Sequence, residues 1–313
     1  MAVPQAEVET SYGESSFSFF EPTITVGKIF LHLGLLLLTI ITTTISGAIF
    51  PHILSEAELL YIVRSALDKA ALLQGILFSF TLLTILTAHE LGHYIACRYY
   101  GIQVSLPYFI PVPPLLGIGT LGAFIKIRQL ISDRRALFDI GVAGPLAGFA
   151  FALPAAVVGI YFGQPPIEDT SIDFGLPLLF IFIGEFLGKS AEVAWNPVWF
   201  GSWIGLLATA LNLLPVGQLD GGHVSYALFG ERGHKCIASL IILVQLVAAL
   251  VGYIKYNWSG GFIYLILLLL MFLLKHPPTT NNPPIGTARV LTAVIALLVF
   301  VLSFMPLPIR IVS

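Results

Sequence analysis

Long apolar runs, several close to the roughly 20 residues needed to cross a bilayer core of about 30 Å, alternate along this chain with short polar breaks. Six such runs stand at 28–50, 71–97, 137–162, 198–229, 237–254 and 288–306. A seventh, GGFIYLILLLLMFLL at 260–274, is shorter but strongly apolar. GLPLLFIFIGEFLG at 175–188 is too short and too acidic for a span and predicts a re-entrant or interfacial segment. The pattern predicts an all-α, multi-spanning membrane protein of about six to seven transmembrane helices. One stretch departs from it. PYFIPVPPLLGIG at 107–119 is too rich in Pro and Gly to span as a helix, and TLGAFIKI at 120–127 has the residues of a short β-strand.

Composition agrees with the pattern. Only 10% of the 313 residues are charged, against about 25% in a soluble domain, so the outside of the folded chain must face lipid. The formal net charge is −2 and the basic residues form no dense run, which excludes a nucleic-acid partner. Cys97 and Cys236 lie far apart and form no metal or disulfide framework. The first 27 residues carry four Glu and no Lys or Arg, unlike a secretory or transit peptide. They are expected to form a polar N-terminal tail, 1–27, ahead of a single transmembrane domain, 28–313, with its core at 70–230. With the N-terminus inside, ten of the 15 Lys and Arg, among them Arg98, Arg134, Arg135 and Arg232, fall on the cytoplasmic side. That bias sets the expected orientation.

Two polar clusters interrupt the apolar runs. Span 71–97 contains His89-Glu90-Leu91-Gly92-His93. Residues four apart share a helix face, so His89 and His93 can present two imidazoles to one metal ion, with Glu90 placed to handle a bound water. This HExxH arrangement is a zinc-hydrolase signature. Two histidines and a glutamate inside an apolar span are costly unless they face a cavity or a partner. Hydrogen bonds between helices would satisfy the histidines but leave Glu90 unexplained.

A catalytic zinc site needs a third protein ligand and keeps a fourth position for water. The candidate is in NLLPVGQLDGGH, Asn212 to His223, where Asp220 offers a carboxylate and Pro215, Gly217, Gly221 and Gly222 bend or loosen the span. In the expected orientation both clusters fall in the cytoplasmic halves of their spans, at matching depth. Other polar residues have plainer readings. His32, His52, His234 and His276 stand at span ends or loops as interfacial histidines. Gly144, Ala147 and Gly148 allow close helix packing, and Asp139 beside Arg134 and Arg135 suggests an interfacial ion pair.

HELGH at 89–93 with NLLPVGQLDGG at 212–222 resembles the paired signature of the site-2 proteases, HExxH and NxxPxxxLDG. GVAGPLAGF at 141–149 resembles the glycine-rich helix between those motifs in that family. The resemblance, over roughly 70–230, is to the bacterial and plastid type. It implies an intramembrane zinc endopeptidase with one Zn²⁺ held by His89, His93 and Asp220, Glu90 as general base, and Asn212 helping to hold substrate or oxyanion. His223 lies outside the core motif, either as a donor to Asp220 or as a polar residue at the cytoplasmic mouth. The strand after HExxH, at Gly122, Ala123 and Phe124, would capture an extended substrate by β-augmentation. Expected partners are transmembrane protein substrates and the lipid bilayer, and the expected location is a bacterial plasma membrane. The sequence has no room for the PDZ or nucleotide-sensing modules of some relatives, so substrate selection is expected to rest on the membrane region or on separate partners.

Other classes fit less well. A zinc transporter needs a polar path across the whole membrane, whereas the ionisable groups here gather at one depth. An inactive scaffold of the same fold would be expected to lose His89, Glu90 or Asp220, and all are present. Prenyl-protein proteases take their third ligand from a downstream Glu or His, which NxxPxxxLDG argues against, and desaturases need several histidine boxes.

Overall fold

Three helices begin where a short polar side chain takes up the free amides of the first turn. Asp68 accepts from the N–H groups of Ala70 and Ala71, Asp133 from those of Arg135 and Ala136, and Asn196 from those of Val198 and Trp199. The computed structural model describes residues 26–54, 68–164, 172–193, 195–256, 258–274 and 276–311. Except for Val26 and Gly27, the expected polar tail lies outside the described residues.

The helices are α1 (Val26–Leu54), α2 (Lys69–Tyr99), α3 (Arg134–Tyr161), α4 (Leu178–Leu187), α5 (Pro197–Asn212), α6 (Asp220–Tyr256), α7 (Gly260–Leu273) and α8 (Thr287–Ser303). Between α2 and α3 lies an antiparallel hairpin of β1 (Tyr108–Pro111) and β2 (Thr120–Phe124), with Tyr108 opposite Phe124 and Phe109 opposite Ala123. A second two-stranded sheet, β3 (Ile172–Phe174) with β4 (Ile309–Ile311), has no counterpart in the sequence expectation.

α3 is the central helix, packed against α2, α5 and α6, while α1 lies along α2. Phe78, Leu82 and Ile85 of α2, Ala152 and Ala156 of α3, and Trp199, Phe200 and Trp203 of α5 form one buried cluster. Outward-facing side chains are also apolar: Phe80 is 71% exposed and Ile254 81%. Large apolar residues exposed along helices of this length mark a surface that meets lipid rather than water.

The strand expected at 120–127 is shorter, at Thr120–Phe124, and its partner comes from the Pro-rich stretch before it. The hairpin is tied to α1, where the His32 ring nitrogen Nδ1 donates to the Pro107 carbonyl (3.0 Å) and the Thr42 hydroxyl to the Gly119 carbonyl (2.7 Å).

The span expected at 198–229 is not one bent helix. α5 ends at Asn212 and α6 starts at Asp220, with a tight non-helical loop between. Pro215 has no N–H to continue the ladder. Gly217 takes φ 55°, where a Cβ would also lie 2.1 Å from the Met271 carbonyl oxygen, so only glycine fits. The expected 237–254 span is the later part of α6, which breaks at Gly230 (φ 70°, ψ −176°). Hence, among the described residues, four helices, α1, α2, α3 and α6, are long and apolar enough to cross a membrane by length and composition, and α4, α7 and α8 are shorter apolar helices. The expected count of six to seven is not recovered by length, because the loop at 213–219 leaves α5 only 16 residues and α6 joins two expected runs.

Candidate metal centre

The HExxH motif occupies the later part of α2, and its helical spacing places His89 and His93 on the face toward α3 and α6. Asp220 stands at the first position of α6, released from the α5 axis by the loop that precedes it. The two Nε2 atoms are 3.1 Å apart, and Asp220 Oδ2 is 3.2 Å from each. Among the described residues these three form the group of three His, Cys, Asp or Glu side chains whose ligand atoms all lie within 4.8 Å of one another, as one metal ion requires. His89, Glu90 and His93 are buried, at 6–7% exposure.

The tautomer that the Ile140 carbonyl favours suits this triangle to a cation. His93 Nδ1–H donates to the Ile140 carbonyl at 2.8 Å. A neutral His93 therefore turns an Nε2 lone pair toward both Asp220 Oδ2 and His89 Nε2. Three acceptor atoms converging in a buried space repel one another unless a proton or a metal ion lies between them. Donor atoms about 2.0–2.1 Å from a tetrahedral ion stand roughly 3.3 Å from one another, close to the spacing here. A dication would also offset the charges of Asp220 and Glu90. The residues fit a metal ion.

Glu90, next to His89, shares a backbone hydrogen bond with Ile125, the residue after β2. The Asn212 side-chain nitrogen lies 3.2 Å from His89 Nε2, so the last residue of α5 also reaches the site. Gly122, Ala123 and Phe124 lie on β2, which pairs with β1 on one side and with no other strand among the described residues.

The model of peptidase family M50 matches residues 77–252, more than half of the chain. The chain belongs to peptidase family M50. "Probable zinc metalloprotease EGY2, chloroplastic" of Oryza sativa subsp. indica is 30% identical over 206 residues, covering 62% of this chain and 37% of that protein. "Probable zinc metalloprotease EGY1, chloroplastic" of Arabidopsis thaliana is 34% identical over 189 residues, covering 56% and 32%. The chain thus spans about a third of the length of the curated relatives it matches. The solved "Site-2 Protease from Methanocaldococcus jannaschii" matches with a TM-score of 0.34 and 19% identity, over 64% of this chain and 76% of that one. Family membership bears out the site-2 protease resemblance. The names of the relatives are chloroplastic, so the expected bacterial plasma membrane gains no support from them.

Both motifs of this M50 chain lie within the matched range. So do residues whose part at the site the sequence reading did not see. Gly144 and Gly148 pack closely as expected, but against the candidate ligands themselves. A Cβ at Gly144 would fall 2.1 Å from His93 Nε2, and one at Gly148 would fall 3.2 Å from His89 Cβ. Gly141 lies against Asp220 and His223, and Gly92 of α2 against the Ala143 carbonyl. Positions 141, 144 and 148 share one helix face, a signal available in the sequence once the facing helix is known.

Two polar expectations change. Asp139 does not pair with Arg134 or Arg135. It accepts two hydrogen bonds from Arg289 of α8 (2.8 and 2.7 Å) and one from the Tyr100 hydroxyl. Arg134 instead donates to the carbonyls of Ala227 and Leu228, and Arg135 to that of Pro284. His223 pairs with His276, so His276 is no isolated interfacial residue.

Proposed function

We propose that this chain is a zinc-dependent endopeptidase that hydrolyses peptide bonds of membrane-spanning proteins, with one Zn²⁺ held by His89, His93 and Asp220. The observation that carries this reading is the meeting of three metal-ligating atoms within about 3.2 Å of one another, from motifs more than a hundred residues apart. When bound, zinc lowers the pKa of its water toward neutrality and polarises a carbonyl oxygen. Glu90 takes the proton of the attacking water and delivers it to the leaving amine. Its backbone bond with Ile125 supports this role by tying Glu90 to the residue after β2. Asn212, whose side-chain nitrogen lies 3.2 Å from His89 Nε2, would donate to the developing oxyanion. Gly141, Gly144 and Gly148 let α3 approach closely enough to hold both imidazoles in register.

A helical peptide bond is shielded by its own hydrogen bonds, so the substrate must be unwound before attack. The second edge of β2, at Gly122, Ala123 and Phe124, would add the unwound segment as a strand. The domain reading, 28–313 as one protease domain of six to seven spans, belongs to the same proposal. So does the placement of the metal in the cytoplasmic half of the bilayer, which rests on the loop charges. Buried ionisable groups also require a hydrated cavity open to one face. The test is a comparison of membrane proteomes from cells carrying the intact protein or Glu90→Gln. Single-span fragments present only with the intact protein support the reading. Identical fragment profiles would leave an inactive scaffold or a zinc transporter.

A further inference from the structure

Beside the three candidate ligands, the chain holds a second set of imidazoles. His223 stands one turn beyond Asp220 on α6, and its Nδ1 is 2.7 Å from Nε2 of His276, on the segment joining α7 to α8. Their ring centroids are 4.9 Å apart with planes at 81°. For His89 and His93 the same quantities are 4.8 Å and 71°. The two pairs share a ring spacing and an edge-on tilt, although Nε2 meets Nε2 at 3.1 Å in the first pair and Nδ1 meets Nε2 at 2.7 Å in the second.

Their supports correspond as well. The Nδ1–H of His276 donates to the Pro277 carbonyl at 2.7 Å, as that of His93 does to the Ile140 carbonyl at 2.8 Å. A carbonyl only accepts, so the ring proton sits on Nδ1 and Nε2 keeps its lone pair. Tyr226 stacks on the His276 ring, with centroids 4.1 Å apart and planes at 15°, and holds its orientation. A third imidazole, His234, lies 6.0 Å from His276 between ring centroids, and its Nδ1 is 2.7 Å from the Ser225 hydroxyl oxygen.

We propose that His223 and His276, flanked by His234, form a second site for a divalent transition-metal ion of the Zn²⁺, Ni²⁺ or Cu²⁺ class, separate from the ion at His89, His93 and Asp220. An imidazole-only set suits these ions and not Mg²⁺ or Ca²⁺. In the hydrogen bond between them, His223 Nδ1–H donates to His276 Nε2. On uptake the ion replaces the bridging proton, which passes from Nδ1 to Nε2 of His223, and both ligands stay neutral. The two nitrogens need to part by about 0.6 Å to reach ligand spacing. The bound ion would pin the 276–286 segment, already held to the start of α3 by Asn281 donating to Asp133 and Arg135 to Pro284, beside the first metal centre.

The test uses the full chain without a histidine tag, purified in detergent, stripped with a chelator and dialysed against buffered Zn²⁺, with ions counted by mass spectrometry. The intact chain is expected to hold one ion more than His276→Gln, which removes the ligand but leaves a polar partner for His223. Asp220→Asn is expected to keep the second ion, with imidazole scattering near 2.0 Å in X-ray absorption at the zinc edge. Equal ion counts for the intact chain and His276→Gln would overturn the proposal, as would an Asp220→Asn spectrum without imidazole. A chain with two ions and no peptidase activity would refute the proposed function alone, and a one-ion peptidase would refute this second site alone.

Discussion

Replacing Gly144 with alanine places a methyl group against one candidate ligand, whose ring supplies its three nearest atoms. The new Cβ would stand 2.1 Å from His93 Nε2 and 2.4 Å from Cδ2, short of ordinary contact at roughly 3.4 Å by about 1.3 Å. The ring cannot pivot freely, because its Nδ1–H is held by the Ile140 carbonyl at 2.8 Å on the same helix. Either the ring leaves that bond or α3 backs away from α2, where Gly92 already touches the Ala143 carbonyl. Metal–ligand distances tolerate about ±0.2 Å, so a shift of an ångström removes His93 from the ligand set. Disturbing a residue that merely orients a ligand costs about 10–100-fold in metal affinity. Gly144→Ala should therefore weaken zinc binding at least 100-fold, with about 1–3 kcal/mol of overpacking cost to stability. The assay is competition for zinc against a chromophoric chelator in detergent, with thermal unfolding in parallel. Gly148→Ala, whose Cβ would meet His89 Cβ at 3.2 Å, should lose far less, and Gly34→Ala, which meets nothing within 4 Å, should lose nothing. A Gly144→Ala chain binding zinc as tightly as the Gly34→Ala control would refute the reasoning.

Glu90→Gln should keep the metal and lose activity by about 10²–10⁴-fold, since the amide preserves shape but cannot accept the proton; loss of metal in a direct metal count would make Glu90 structural. Asp220→Ala should bind metal far more weakly, and chelation of the intact chain should abolish peptide cleavage until zinc returns, as read by fragment release from a reconstituted substrate. Asp139→Asn should lower stability by about 1 kcal/mol, because a partly exposed bidentate pair with Arg289 is lost; an unchanged unfolding midpoint would show that the pair contributes nothing. With the N-terminus cytoplasmic, a cysteine introduced in the 98–136 loop should resist an impermeant reagent in intact cells, and labelling there would invert the orientation.

The sequence alone carried the membrane character of the chain and the identities of the candidate ligands, because both are written in local terms. Apolar runs of spanning length need no partner to be recognised, and HELGH places two imidazoles on one helix face wherever the helix goes. The third ligand was also legible, since an aspartate inside an apolar span needs a reason to be there. What the sequence could not supply was distance. That Asp220 Oδ2 lies 3.2 Å from both imidazoles depends on α5 stopping at Asn212 and on a tight loop whose Gly217 packs against the Met271 carbonyl, about fifty positions away. The same holds for Gly144, whose spacing reads as generic helix packing until α2 is seen to press His93 against it. Asp139 finds Arg289 and His223 finds His276 across 150 and 53 residues, pairings that no local pattern encodes. Local composition sets which groups are present and which face of their own helix they share, while packing between distant helices sets which of them meet.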